Sequence, residues 1–404
     1  MSGNMPTVLS KDAPAEVATS EALSFTRPVK VCLLISSLEF GGAERQVIEL
    51  TRNFDRKLID PLICTLSDRV PLAENDPSTQ KVLHTVKKNG RFDVTTIPRL
   101  SAFLRRNKID VVHAFLFDAE IAARLAAPIS GVRAVVASER NADYVRPRLH
   151  QLAQQITKPL FDVMVANSHA GARFNEKTLG LDASRLRVVH NGVDTDRFQP
   201  DAAAGKAFRE ANGIGQDEKV IGMVGSFKRQ KDHGTFLRMA ARVLEHHSAC
   251  RFLIAGDVVS GSEDSETFAK EIRQLKAELG LEDRCLFVGN QKDIHAFYNA
   301  CDLTALLSLR EGTPNVALES MACGRPVIAS DIADNALIIL DGKVGHIVPP
   351  RGWEEAANDV SDLLNDSARL ETMGEAARLH VCENYTPAKA AEKLAAIYLE
   401  QLSQ

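Results

Sequence analysis

Residues 29 to 36, VKVCLLIS, make an apolar run typical of a strand buried on both faces, and the chain then turns at Gly41-Gly42 into a helical pattern from Ala43 to Phe54. Strands of that kind belong to parallel sheets, because only crossover helices on both faces can cover them. The alternation continues through the first half, with strands expected at Pro61–Leu66, Val94–Ile97, Val111–Ala114, Ala134–Ser138, Val163–Ala166 and near 186 to 190. It breaks into turn residues and a polar helix at NGVDTDRFQPDAAAGKAFREANGIGQDEKV, restarts at VIGMVGSF, and carries strands expected at 220 to 225, 251 to 255, 285 to 288, 303 to 307, 326 to 329 and 346 to 348. The expected fold class is therefore α/β: two Rossmann-like, doubly wound parallel-sheet domains facing a cleft, divided near Thr195–Pro200. Ligands of such sheets bind beyond the carboxyl ends of the strands.

A chain of 404 residues exceeds one ordinary core, which fits two domains. A net charge of −4 gives no general ground for binding nucleic acid. No run approaches the roughly 18 to 20 apolar residues of a membrane span. The start lacks the layout of a signal peptide, so the cytoplasm is the expected compartment. Seven cysteines are scattered without a CxxC pair and eleven histidines show no HExxH spacing, so no metal site is expected. Residues 1 to 28 are small, polar and aperiodic, the pattern of a disordered tail.

The stretch REGTPNVALESMACGRPVIAS, residues 310 to 330, places Glu311 in a Gly/Pro loop and Glu319 one turn into a helix for which Asn315 is a plausible N-cap. A loop leading into a helix N-terminus suits an anion. Two carboxylates beside it would repel a bare phosphate but would accept hydrogen bonds from a ligand carrying both phosphate and sugar hydroxyls. A solvated loop glutamate and a helix-surface glutamate are the plain alternative. After the strand at 220 to 225, GSFKRQKDHGTFLRMAARVL sets Gly225 and Ser226 before three cations, Lys228, Arg229 and Lys231, just ahead of a helix starting near Asp232. Cations at a helix start favour a diphosphate; a solvated basic loop is the alternative.

Gly41-Gly42 would let a ligand approach the backbone, though glycines are common in such turns, and the GxGxxG of a dinucleotide enzyme is missing. His113 is read at the carboxyl edge of its strand, Ser138, Glu139, Arg140 and Asn141 as a polar cluster at the next, and the DTD at 194 to 196 as a capping turn rather than a metal motif. RLSAFLRRNKID and YVRPRLHQLAQQITKPLF mix basic and apolar residues at near-helical spacing, which suits either an ordinary packed surface or peripheral contact with an anionic membrane.

Together these motifs resemble the GT-B-fold, retaining glycosyltransferases called group 1 or family 4, over residues 29 to 404. Glu311 and Glu319 with MACGRPVIAS look like the paired-glutamate motif of that family, and NSHAGARF, VVHNGVDTDRF, FLIAGD and LFVGNQKDIHAFYNACD match in order and spacing. The resemblance implies that Glu319 accepts hydrogen bonds from the ribose of a nucleotide-sugar donor and that Glu311 contacts the donor sugar. By the same resemblance the backbone of Gly312, Thr313, Pro314, Asn315, Val316 and Ala317 holds phosphates and hydroxyls, Lys231 meets the diphosphate, His113 contacts the transferred sugar from the N-terminal domain, and Gly41-Gly42 form that domain's glycine loop. It also implies a helix at 386 to 404 returning to a first domain of residues 29 to 196, a donor domain at 197 to 385, no essential metal or cofactor, and a glycan or lipid-linked acceptor. Two departures stand out: Ser226 sits where the family has an arginine, and Leu337 where it has a glutamate. A nucleotide-sugar epimerase of the same fold and a non-catalytic nucleotide- or glycan-binding protein are the competing functions.

Overall fold

The computed structural model describes residues 27–39, 41–74, 76–90, 93–140 and 147–403, apart from the side chain of Glu139. The tail read as disordered lies outside them up to residue 26, as does Asn141. The first sheet contains β1 (Val29–Ile35), β2 (Ile59–Thr65), β3 (Leu83–Thr85), β4 (Val111–Phe115), β5 (Ala134–Glu139), β6 (Val163–Ala166) and β7 (Leu186–Val188). The second contains β8 (Val220–Val224), β9 (Arg251–Ala255), β10 (Cys285–Gly289), β11 (Leu303–Leu306), β12 (Val327–Ser330) and β13 (Gly345–Val348). Their orders are β3-β2-β1-β4-β5-β6-β7 and β10-β9-β8-β11-β12-β13, with the named strands paired in parallel throughout. The order reverses between β1 and β4 in one sheet and between β8 and β11 in the other, which opens a crevice at each reversal.

The opening run explains itself in β1. Val31, Leu33 and Ile35 enter a core with Val47 and Leu50 of helix Gly42–Asn53, while Cys32 and Leu34 enter another with Leu100, Leu104 and Ala123. A strand that feeds two cores cannot afford an alternating polar face.

The chain passes between the halves twice, side by side. Val193 N–H donates to the Tyr385 carbonyl at 2.8 Å, and Gln46 Nε2 donates to the Gly192 carbonyl at 2.8 Å. A Cβ on Gly192 would stand 2.4 Å from Pro387 N, so only glycine allows the two passes to touch. Beyond this crossing, helix Pro387–Ser403 lies against helix Gly42–Asn53 and buries Leu394 and Tyr398 in the core of the first sheet.

One expected strand is a helix. Val94 and Thr95 form a turn and helix Thr96–Arg106 follows. The β-branched run Val94–Ile97 suggests a strand, but Asp93 accepts hydrogen bonds from Thr95 N and Thr96 Oγ1, and Pro98 falls in the first turn, where a missing N–H does no harm. Val94 itself is 78% exposed. The sheet edge is instead β3, three residues with no apolar run to announce it.

Gly192→Ala should lower stability by about 1–3 kcal/mol through overpacking at the crossing. Urea denaturation of the variant against the parent measures it; equal midpoints would mean the two passes can separate freely.

Candidate functional site

The carboxyl ends of β1, β4, β8 and β11 face a cleft holding two adjoining cavities, of about 580 and 430 Å³. Gly42 and Asn315 border both, and a Cβ on Gly42 would lie 3.7 Å from Asn315 Nδ2. The first half supplies Ala43, Glu44, Leu116, Arg140, Asn167 and Asn191 to the larger cavity; the second supplies Gln230, Arg310, Glu311, Gly312 and Thr313.

The Glu311 loop is built by hydrogen bonds from both halves. Ser308 Oγ donates to Glu311 Oε1 at 2.7 Å and Leu309 N–H to the Gln230 carbonyl at 2.7 Å. Across the cleft Thr313 Oγ1 bonds the Asn167 carbonyl, and Asn191 Nδ2 donates to Asn315 Oδ1 at 2.8 Å. Helix Asn315–Ala322 then begins after Pro314 without a side-chain cap. Asn315 is thus the first helical residue rather than the expected N-cap, because Pro314 takes the boundary position and the asparagine side chain is spent on Asn191.

Lys231 ends the short 3-10 turn Arg229–Lys231, and its Nζ lies 2.5 Å from Glu311 Oε1. Its stem lies against Gly225, where a Cβ would stand 3.2 Å from Lys231 Cγ. His233 is buried against Phe227, with Nε2 3.3 Å from the Gly225 carbonyl. Burial pushes its imidazole down to about 4, so it is neutral at pH 7 and holds the loop without adding charge. Ser226 is half-buried beside this turn. The other two expected cations are not brought to the cavities. Arg229 is turned outward onto Asp264 and Glu271, and Lys228 is exposed.

Glu319 borders the smaller cavity with Arg45, Glu49, Asp194 and Arg197. Tyr298 donates its hydroxyl to Glu319 Oε2 at 2.8 Å. Burial pushes the Glu319 carboxyl up, and the Tyr298 hydrogen bond, Arg45 and Arg197 offset part of that rise. Two of those partners come from outside its own sheet, which no local pattern around residue 319 foretells. Asp194 accepts from the N–H groups of Asp196 and Arg197, the capping turn that DTD suggests.

His113 does not line the larger cavity. It stands in the middle of β4, opposite Leu33, rather than at the strand's carboxyl edge. Its Nδ1 is 2.6 Å from the Tyr398 hydroxyl and its ring stacks on Phe115 at 4.2 Å. Burial, with Arg140 nearby, holds it well below the usual histidine range. Its Nε2 has no partner among the described residues, and the residue borders a small cavity of about 10 Å³ shared with Arg140, His190 and Asn191. The strand ends two residues later, and Leu116, at φ 70°, is the residue that reaches the larger cavity.

Asp334, which no sequence signal marked, joins the halves. Its Oδ2 accepts from His169 N (2.7 Å), His169 Nδ1 (2.9 Å) and His190 Nε2 (2.8 Å), and Oδ1 from Ala170 N (3.3 Å). It therefore caps helix His169–Leu179 from the opposite half. Asn335 is turned inward to the Ser330 carbonyl and Leu337 is 54% exposed. Among the described residues His169, His190 and Asp334 form the one group spaced to hold a metal. Their hydrogen bonds are already made to one another, and the helix end beside them disfavours a cation.

Burial pushes the Asp334 carboxyl up, but the hydrogen bonds from His169 and His190 prevail and hold it below the usual carboxylate range. Its contribution to stability is complete above about pH 4 and is lost as pH falls through the lower folded value. Asp334→Asn should remove about 3 kcal/mol at pH 7 and flatten the acid side of the stability profile, as read by urea denaturation from neutral pH downward.

Two family profiles match this chain: Glycosyltransferase Family 4 over residues 40–197 and Glycosyl transferases group 1 over residues 205–380. D-inositol 3-phosphate glycosyltransferase from Kribbella flavida is 29% identical over 64% of this chain and 62% of its own. Vi polysaccharide biosynthesis protein VipC/TviE from Salmonella typhi is 27% identical over 79% of this chain and 62% of its own. The chain thus spans about three-fifths of the length of these curated relatives. The crystal structure of Anabaena Alr3699/HepE in complex with UDP matches 92% of this chain and 100% of that one, with TM-score 0.79 and 20% identity. The lipopolysaccharide outer core galactosyltransferase WaaB, in its apo form, matches 92% of this chain and 100% of that one, with TM-score 0.69 and 17% identity. With two parallel sheets meeting at a cleft and both profiles laid end to end along it, the chain belongs to the group 1, family 4 glycosyltransferases of GT-B fold.

Proposed function

We propose that this protein transfers a hexosyl unit from a nucleotide-diphosphate sugar to a glycan or lipid-linked acceptor, with retention of the anomeric configuration, in the building of a cell-surface polysaccharide or glycolipid. The observation that carries the reading is the Lys231–Glu311 pair beside the uncapped start of helix Asn315–Ala322, with Glu319 one turn further on, all opposite Gly42 across the cleft. A diphosphate placed there meets a cation and a positive helix end together.

In this reading the diphosphate takes a share of Lys231, and Glu311, relieved of its full pairing, accepts hydrogen bonds from hydroxyls of the donor sugar. Glu319 accepts from the ribose while Tyr298 keeps its other hydrogen bond. As the bond from the anomeric carbon to the diphosphate breaks, the charge gathering on the leaving oxygen is met by Lys231 and the N–H groups of Thr313 and Val316, since Pro314 has none and those of Asn315 and Ala317 already donate to the Thr313 and Pro314 carbonyls, with no metal required. The acceptor hydroxyl attacks from the face the diphosphate leaves and passes its proton to the departing diphosphate oxygen on that face. The Gly41-Gly42 loop and Leu116 wall the reacting centre on the other side. His113 supports this wall from within β4 through Tyr398 and Phe115 rather than touching the sugar.

Lys231→Ala should reduce kcat by about 10²- to 10³-fold, the usual effect of removing one group that stabilises a developing oxyanion. Glu319→Ala should weaken donor binding by about 10- to 100-fold. Both are read with UDP- and GDP-sugars in the presence and absence of EDTA. Unchanged turnover in either variant would remove that residue from the site, and loss of activity in EDTA would remove the metal-independent reading. A change of the sugar without any acceptor would establish an epimerase, and nucleotide binding without turnover a binding protein.

A further inference from the structure

Helix Arg148–Thr157 is built inside out. Its buried side carries Gln154 and Thr157, and Thr157 Oγ1 accepts from Arg124, whose guanidinium forms a fully buried ion pair with Glu120 at 2.8 Å. Its outer side carries Leu149, Leu152 and Ile156, exposed by 73, 56 and 67%, and the following turn adds Leu160. Positions 149, 152 and 156 lie on one narrow stripe at 100° per residue, so the large aliphatic side chains of this helix point together into solvent. A soluble helix normally shows the opposite arrangement.

The neighbouring segments extend the stripe into a patch. Helix Phe117–Ala126 contacts this helix and leaves Leu125 exposed, and the turn Ala127–Ile129 leaves Ile129 60% exposed. Ser101 of helix Thr96–Arg106 bonds the Ile129 carbonyl at 2.9 Å, which brings the basic end of that helix alongside. Basic residues outnumber acidic ones here: Arg99, Arg105, Arg106, Lys108, Arg148 and Lys158 stand against Asp93, Asp110, Asp118 and Asp162, of which the first three are paired with Arg99, Arg27 and Lys88. Arg105, Arg106, Lys108 and Arg148 are exposed.

We propose that this face docks on an anionic lipid bilayer, with Leu149, Leu152, Ile156 and Leu160 entering the boundary between headgroups and acyl chains and the arginines and lysines meeting the headgroups. The alternative of a second copy of this chain is disfavoured by charge: a twofold contact would set a surface of net positive charge against itself. A bilayer offers the opposite charge and accepts a narrow aliphatic stripe without needing a complementary groove. No helix among the described residues is long and apolar enough to cross the membrane, so attachment is at its surface.

The test is flotation of the full chain with phosphatidylcholine vesicles with and without roughly 30 mol% phosphatidylglycerol. The parent should float with the anionic vesicles and not with the neutral ones. The double variant Leu152→Glu, Ile156→Glu should reduce bound protein at least about tenfold, and Arg148→Glu should reduce it in part, with melting temperatures unchanged because these side chains are already in solvent. Failure of the parent to float overturns the proposal, as does equal flotation of the double variant. So does a parent dimer in light scattering that the double variant converts to monomer, which would assign the face to a second copy.

Discussion

A parallel strand pair cannot close with a tight turn; each return has to cross a face of the sheet and cover it. That constraint holds for all named strand pairs of both sheets, so every carboxyl end within a sheet points the same way and every loop after a strand collects at one edge. The two collecting edges confront one another. Residues far apart in the chain, Gly42, Asn167, Asn191, Glu311 and Asn315, become neighbours because each follows a strand or opens the helix after one, and not because any local sequence preference brings them together.

The parts of the structure legible in the sequence are those with a local cause. Strand β1 announces itself because feeding two cores demands apolar residues without interruption, and the strands of the second sheet show the same continuity. The Lys231 turn and the Glu311 loop are legible because Gly and Pro mark where the backbone leaves a regular element. Strand β3 leaves no mark because an edge of one half-buried and two exposed residues needs no apolar run, and helix Thr96–Arg106 hides its start under β-branched residues that Asp93 overrules from outside. His113 is seen as part of its strand but is assigned the wrong position along it, since the carboxyl edge of β4 is set by where the chain turns at Leu116.

The contacts between distant elements are illegible for a different reason. Asp334 is an ordinary acid in a polar turn until helix His169–Leu179 places two N–H groups and one imidazole around it and the segment after β7 adds the imidazole of His190. Tyr298 looks like one more aromatic residue in a helix until Glu319 accepts its hydroxyl proton in hydrogen bonding. In both cases the partner lies on another element, and the burial that makes the bond matter exists only once the fold has formed. Electrostatics across the cleft is therefore a property of the assembled halves: carboxylates from one side sit among arginines and histidines from the other, and a ligand entering between them replaces contacts that already exist.

The return of helix Pro387–Ser403 to the first sheet bears on how the protein is made. Tyr398 and Leu394 fill a core whose other members, such as Val31, Val47 and Val111, leave the ribosome long before them. The half synthesised first is thus the half completed last. Until helix Pro387–Ser403 emerges, an apolar trough stays open beside helix Gly42–Asn53, while the second half already has all its strands.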